Sequence, residues 1–354
     1  MSSETKRKEE VLTSKNNNSK EEDHLSWGFK ILTLLTLIGT GCLFFKVMEF
    51  IKKLYIFNPD YEFPTRYQCF QVIVYFAALV IVKVIFESAV VHYTENIMNK
   101  KYFEPGQEQE RKKVRIKLAT IFFKLFYYTS VSVLAYLALK PLDYFPKELG
   151  GHGYMAKMFE SGYPNSFFHK KTPLFDAHYL ICLAYSFVDF IWLVFVDVRQ
   201  TDFINMFFHH ICTISLIIFS YVTNYSNIGS IVLFLHNVSD VVVYVSRIIL
   251  YTNTYDILKQ IASVWLLTGF LYFRMFILGK VIYVIYRYAN WEWGTITFTL
   301  WTFLIFMYLM HFNWTCIILK RFYDAIFKGE YNDSNKFKKD DNDDNDVKEA
   351  KKLH

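Results

Sequence analysis

The feature that most constrains this chain is a series of eight apolar stretches, each long enough to cross a membrane as a helix. A hydrocarbon core about 30 Å thick needs roughly 20 apolar residues in a helix. Each stretch is free of proline and poor in charge. The predicted spans are residues 25–50, 68–92, 117–139, 177–198, 203–222, 227–251, 258–287 and 296–322. We therefore predict an all-α integral membrane protein with about eight transmembrane helices.

Composition supports this class. Of the 354 residues, 53% are hydrophobic and only 20% are charged, which is too apolar for an ordinary soluble protein of this length. The exceptions are the polar segment 1–24, which we expect to lie in the cytosol, and the charged tail 330–354. We expect the tail to be disordered. The net charge of +6 is spread over links and polar ends and does not follow one helix face, so we expect no nucleic-acid partner.

Positive charges near the helix ends predict the orientation. The segment 93–116 contains six basic residues near predicted helix ends, namely Lys100, Lys101, Arg111, Lys112, Lys113 and Arg115. Such segments face the cytosol, and eight spans then place both termini there. Lys351 and Lys352 match a dilysine retrieval signal, which predicts the endoplasmic reticulum membrane and a cytosolic C-terminus. An ordinary solvated tail accounts for the same two lysines equally well.

Two adjacent predicted helices carry ionisable side chains at membrane depth. They are His209 and His210 in the first helix, and His236, Asp240 and Arg247 in the second. Each ionisable side chain raises the free energy of membrane insertion by at least ~2.5 kcal/mol, so its presence in a span requires a structural or functional explanation. Because only residues 223–226 separate the two helices, we predict an antiparallel hairpin in which facing residues have numbers that sum to about 449. That register pairs His209 with Asp240.

Three interpretations fit this cluster. The groups satisfy one another and hold the helices together, they carry out acid–base chemistry, or they bind a metal ion. Imidazole and carboxylate suit zinc or iron, but His209 and His210 are adjacent and point about 100° apart on a helix. We favour acid–base chemistry, in which a histidine acts as base or acyl carrier and Asp240 orients the ring. We expect no metal.

The motifs in and around this hairpin follow one order. They are His209-His210-Ile211-Cys212-Thr213, Ser220-Tyr221, Gly229 and Leu235-His236-Asn237-Val238-Ser239-Asp240. The order resembles the pattern HHxxTxxL, SY, G and LHDxSD of the TRAM/Lag1/CLN8-type (TLC) membrane domain, as ceramide synthases, or sphingosine N-acyltransferases, carry it. The resemblance extends from about residue 115 to 329, and includes Gly162-Tyr163-Pro164, Arg199-Gln200-Thr201-Asp202-Phe203, Phe273-Arg274 and Met310-His311-Phe312-Asn313-Trp314.

The resemblance implies a domain organisation. Residues 115–329 would form the TLC domain, a bundle of six helices around a lipid cavity. Residues 25–114 would add two preceding helices and a basic loop, between the polar segment 1–24 and the tail 330–354.

The resemblance also implies an activity. The expected reaction transfers a fatty acyl group from acyl-coenzyme A to the amine of a sphingoid base, which gives ceramide or dihydroceramide. Acyl-coenzyme A enters as a co-substrate, and we expect no bound cofactor. The expected partners are these two substrates and membrane lipids, with a homo- or heterodimer left open. The alternative is a non-catalytic TLC-domain protein that binds lipid or associates with a translocon.

Site residues follow from the matched motifs. The catalytic candidates are His209, His210, Asp240, His236 and Asn237. The substrate-binding candidates are Arg199, Asp202, Arg247, Arg274, His311 and Trp314. One departure affects the chemistry: the family pattern has aspartate where this chain has Asn237, so the site loses one negative charge.

Overall fold

The computed structural model describes residues 66–98, 106, 108–159, 172–197, 202–252, 254–289 and 295–327, together with Met48, Glu49 and Lys52. The chain divides into two compact units, Met1–Phe57 and Asn58–His354. The predicted first span, 25–50, lies outside the described residues except for Met48 and Glu49, which are helical. The predicted segments 1–24 and 330–354 also lie outside them.

The described residues of the second unit form seven long helices. They are α1 (Arg66–Thr94), α2 (Glu108–Leu139), α3 (Pro173–Phe195), α4 (Phe203–Val222), α5 (Ser226–Tyr251), α6 (Asp256–Tyr288) and α7 (Thr295–Phe327). All seven are long and apolar enough to cross a membrane, and they coincide with the second to eighth predicted spans. The described residues contain two isolated bridges but no β-strand. The prediction of an all-α membrane protein is confirmed.

Local sequence explains where several helices begin and end. Thr172 caps α3, since its Oγ1 accepts a hydrogen bond from the backbone N–H of Phe175 at 3.2 Å, and Pro173 follows at the first helical position. The link between α4 and α5 is only three residues long, and Asn224 turns the chain there with φ of 63°. Asparagine adopts this left-handed conformation more readily than most residues. The tight link keeps α4 beside α5.

The helices α2 to α7 form a closed bundle. Helix α5 packs against α2, α4 and α6, while α7 packs against α4 and α6, and α3 against α2 and α4. Helix α1 lies outside the bundle, against α2 and α3. Its outer face exposes large apolar side chains such as Phe70, Ile73 and Ile85. Such a face suits lipid and not water.

The register of the α4–α5 hairpin agrees with the prediction from the sequence. Ser220 and Gly229, whose numbers sum to 449, face each other, because a Cβ on Gly229 would lie 3.0 Å from Ser220 Oγ. The same Cβ would lie 2.0 Å from the Tyr179 hydroxyl of α3. Only glycine allows α3, α4 and α5 to approach this closely.

Candidate active site

A cavity of about 130 Å³ lies inside the bundle and is lined by residues from all six of the helices α2 to α7. Its wall differs along its length. Imidazole and carboxylate side chains line one end, apolar side chains such as Val232, Leu300 and Leu304 line the middle, and hydroxyl groups line the other end. We call these two ends the polar end and the hydroxyl end.

The polar end brings together the five residues that the sequence analysis named as catalytic candidates. His209, His210, His236, Asn237 and Asp240 all line the cavity. Helix α4 contributes the first two and α5 the other three, as expected for facing segments of the hairpin. Their roles in a reaction stay predictions.

Arg274 holds this end of the cavity together. It lies in a π-helical stretch of α6, Leu271–Ile277, and is only 4% exposed. Its guanidinium donates hydrogen bonds to Asp240 Oδ1 at 2.6 Å, to the backbone carbonyl of His236 at 3.2 Å and to Ser239 Oγ. Nη1 also lies 2.8 Å from Nε2 of His311 on α7, which accepts because arginine only donates. Arg274 therefore ties α5 to α7.

The partner of Asp240 differs from the one predicted. We expected Asp240 to orient His209, but the ion pair of Asp240 in the structure is with Arg274. The reason is that α6 packs against α5 and places an arginine on the face that carries Asp240.

Aromatic rings form the wall around His209. Its ring centroid lies 5.6 Å from that of His210, 6.0 Å from His311 and 5.2 Å from Trp314. The rings of His236 and His311 are 5.0 Å apart. Two substrate-binding candidates of α7, His311 and Trp314, thus contact the same histidines that line the cavity.

The hydrogen bonds of His236 define which ring nitrogen is available. Nδ1 donates to the Val232 carbonyl at 2.7 Å, because a carbonyl only accepts. In a neutral ring Nε2 then carries the lone pair. Nε2 of His236 and Nδ1 of His209 are buried and have no hydrogen-bond partner among the residues that the structure describes.

Sequence reasoning missed an ionic chain at the same end. Asp189 of α3 lines the cavity, and its Oδ1 lies 2.7 Å from Nζ of Lys124 on α2. Its Oδ2 lies 3.8 Å from Nε2 of His210. Both residues stand inside predicted spans, so the cost of an ionisable group in lipid was a signal that could have identified them.

Neutral hydrogen bonds connect the elements at the hydroxyl end. Tyr225 and Thr297 join the α4–α5 link to α7 through their hydroxyl groups, 2.6 Å apart. Tyr179 and Ser220 join α3 to α4 at 2.5 Å. Burial raises the pKa of the Tyr225 phenol, so this group stays protonated and neutral at physiological pH.

None of the described substrate-binding candidates is among the residues that line the cavity, although Arg274, His311 and Trp314 contact residues that do. Asp202 immediately precedes α4 and is not among the lining residues. Arg247 stacks on Tyr244, with 5.6 Å between its guanidinium carbon and the ring centroid, and does not line the cavity either. Seven residues advance a helix by roughly 10 Å, which separates Arg247 from Asp240 along α5. Arg199 lies outside the described residues.

The described part of the chain contains no group of three His, Cys, Asp or Glu side chains arranged to hold a metal ion. The histidines of the polar end contact one another through their rings, and their neighbours include a guanidinium, which repels a cation.

Comparison with known proteins gives consistent matches. Ceramide synthase 5 of Homo sapiens is 27% identical over 161 residues, which cover 43% of this chain and 40% of that protein. Sphingosine N-acyltransferase lag1 of Schizosaccharomyces pombe is 27% identical over 174 residues, covering 49% and 41%. Ceramide synthase hyl-1 of Caenorhabditis elegans is 24% identical over 313 residues, covering 77% and 78%. The chain covers only about two fifths of the length of ceramide synthase 5 and of lag1.

The family pattern of the TLC domain matches residues 117–320, which begin in α2 and end in α7. This range is more than half of the chain and contains the cavity-lining helices. By this match, the chain belongs to the TLC domain family.

Proposed function

We propose that this protein is a ceramide synthase, which transfers a fatty acyl group from acyl-coenzyme A to the amine of a sphingoid base. The product is ceramide or dihydroceramide. Membership of the TLC domain family supports the proposal, as do the names of the relatives, which include ceramide synthases and a sphingosine N-acyltransferase.

The observation that carries the proposal is the two-part wall of the cavity. Imidazoles line the polar end, and the side chains between them and the hydroxyl end are mostly apolar, such as Leu216, Val232 and Leu304, although Thr213 and Ser186 also line the wall. Along α4, His209 and Ser220 are eleven residues apart, which corresponds to roughly 16 Å. A fatty acyl chain is a long apolar group with one reactive end, and this cavity is a long apolar space with one reactive end.

The reaction needs a group that accepts a proton. The amine nitrogen forms a bond to the thioester carbonyl carbon, the carbon–sulfur bond breaks, and coenzyme A leaves as its thiol. The amine loses a proton and the thiolate gains one, so a single imidazole can carry the proton between them. His209, His210 and His236 are the imidazoles at the polar end. The same chemistry also accommodates prior transfer of the acyl group to an imidazole.

We propose specific roles for the neighbouring groups. Asp240 and Arg274 balance each other and hold the backbone of α5 at His236. His311 and Trp314 support the His209 ring. The protein needs no resident cofactor, since coenzyme A activates the acyl group. Arg199, Asp202 and Arg247 remain candidates for contacts with the bulky coenzyme outside the cavity.

Membranes that contain the protein provide the test. They are supplied with sphinganine and acyl-coenzyme A of several chain lengths, and N-acyl product is measured by mass spectrometry against membranes without the protein. We expect protein-dependent product. If no chain length gives product although the protein is abundant and correctly inserted, the proposed reaction is wrong, and a non-catalytic lipid-binding protein takes its place.

We further propose that the protein resides in the endoplasmic reticulum membrane with a cytosolic C-terminus. Asn17-Asn18-Ser19 is a glycosylation acceptor in the N-terminal polar segment. With eight spans this site faces the cytosol and stays unmodified. A glycan that is removed by endoglycosidase and absent in Asn17→Gln would show a lumenal N-terminus and contradict this orientation.

A further inference from the structure

Two carboxylates line the polar end of the cavity, and they have different partners. Asp240 of α5 is held by Arg274, which also bonds to Ser239 and His311. Asp189 of α3 lies between an ammonium and an imidazole. In the proposed reaction, Asp240 balances Arg274 and helps to hold α5 at His236, whereas Asp189 has no role yet.

The geometry of Asp189 assigns one oxygen to each neighbour. Oδ1 lies 2.7 Å from Nζ of Lys124, and Oδ2 lies 3.8 Å from Nε2 of His210. Asp189 is only 6% exposed, so solvent screens these interactions little. If Asp189 only neutralised the charge of Lys124, the contact between Oδ1 and Nζ would be sufficient. The second contact directs a negative charge at one of the two adjacent histidines.

We propose that Asp189 is a positioning residue for acyl transfer, which acts through His210. Its carboxylate keeps the His210 ring turned toward α3 and balances the positive charge that the ring acquires when it takes a proton. Lys124 in turn balances Asp189 while His210 is neutral. This inference rests on the proposed function, because it assigns His210 a change of charge during the reaction.

The ionic interactions of Asp189 with Lys124 and His210 also explain why α2 carries a lysine in a membrane span. A buried carboxylate without a partner is costly, and so is a buried ammonium. Lys124 and Asp189 together cost less than either alone. The pair allows a negative charge to stand beside His210 in an otherwise apolar bundle.

The test compares three forms of the whole protein in membranes: wild type, Asp189→Asn, and the double variant Lys124→Met with Asp189→Asn. The rate and the KM for acyl-coenzyme A and sphinganine are measured for each form, per amount of inserted protein. We expect Asp189→Asn to lower kcat at least about tenfold, a fraction of what proton transfer by a side chain contributes. Both KM values should change less than about twofold, since Asp189 acts through His210 and not on a substrate.

The double variant separates positioning from structure. Asp189→Asn leaves the Lys124 ammonium without its partner, which alone can disturb the bundle. Replacing Lys124 by Met removes that charge and keeps the volume. We expect the double variant to regain stability but to stay at least about tenfold slower than wild type. Asp189→Glu, which retains a carboxylate, should recover part of the rate.

Two results would overturn the inference. One is an unchanged kcat in Asp189→Asn, and the other is full recovery of kcat in the double variant, which would show that Asp189 only neutralises Lys124. In either case an active wild type leaves the proposed function standing. A wild type that forms no N-acyl product contradicts the proposed function, and this inference fails with it.

Discussion

The two ends of the cavity lie in one helix bundle, but their side chains differ in chemistry. At the polar end, Asp240 and Arg274 pair beside His209 and His236, and Asp189 pairs with Lys124. At the hydroxyl end, the polar side chains are neutral and bond in pairs, as Tyr225 does with Thr297. A charged side chain inside a membrane costs about 2.5 kcal/mol or more, whereas a hydrogen bond between two helices contributes about 1 kcal/mol of stability. The concentration of charged side chains at one end is the reason we propose that end as the reactive one, whereas the neutral pairs connect α3 to α4 and the α4–α5 link to α7 at the other end.

Among the changes considered, removal of an imidazole from the polar end should lower the rate of N-acylation most. We predict that His209→Ala and His210→Ala each lower N-acylation at least about 100-fold, because the base or acyl carrier is lost. The protein should remain abundant and inserted, as measured by immunoblot of the membrane fraction. Tyr225→Phe is the matched control at the hydroxyl end, where loss of one hydroxyl should change the rate less than threefold, roughly the effect of one neutral hydrogen bond. Full activity in both alanine variants would exclude these histidines from the reaction.

The next largest effect concerns the ion pair of the polar end. Asp240→Asn should reduce the rate of N-acylation at least about tenfold, because it removes a charged hydrogen bond that contributes ~1.5 kcal/mol or more. The variant also leaves the buried guanidinium of Arg274 without the carboxylate of Asp240. Thermal unfolding in detergent should also begin at lower temperature. Ser239→Ala is the control, because it removes a neutral partner of the same guanidinium. Equal rates for wild type and Asp240→Asn would remove Asp240 from the site.

At the hydroxyl end, Gly229→Ala should have a smaller effect of a different kind. The new Cβ would lie 2.0 Å from the Tyr179 hydroxyl, so α3 or α5 must shift, at about 1–3 kcal/mol. We expect lower thermal stability, and a loss of activity that is greater for long acyl chains than for short ones. Gly279→Ala on α6 is the control, since the nearest atom to its Cβ is 3.3 Å away. An equal loss at every chain length would separate this end from the acyl chain.

The smallest effect is expected at Asn237. Asn237→Asp would restore the charge of the family pattern, but Asp189 and Asp240 already line the same cavity. Like charges in a low dielectric disfavour each other. The Asn237 amide also donates to Cys182 Sγ at 3.6 Å, a contact that a carboxylate cannot make. We predict no gain in acyl transfer. A large gain would show that the native chain is a weakened relative.

The sequence was sufficient to predict the hairpin and its contents. The short link, predicted as residues 223–226, and the period of the helix predict that residues whose numbers sum to about 449 face each other, as Ser220 and Gly229 do, so His209 could be placed at the level of Asp240. Both features are local in sequence. The seven described spans could be predicted for the same reason, since each depends on the composition of one stretch.

The partners of these residues could not be predicted, because they come from distant helices. Arg274 lies 34 residues after Asp240, and Lys124 lies 65 residues before Asp189. Which helix faces which depends on the packing of the whole bundle. The π-helical stretch Leu271–Ile277, which contains Arg274, also has no simple sequence signal. Asp189 carries a sequence signal, an ionisable group inside an apolar stretch, but its neighbours Lys124 and His210 come from α2 and α4 and are identified only in the packed bundle.

Two photoreactive acyl-coenzyme A probes provide the most direct test of a cavity with one reactive end. One carries a diazirine beside the thioester and the other at the last carbon of the chain, and cross-linked peptides are identified by mass spectrometry. We predict that the first probe labels peptides containing His209 or His236, and the second labels those containing Tyr225 or Thr297. Labelling of the polar end by both probes, or of the outer face of α1 alone, would contradict an acyl chain that extends along this cavity.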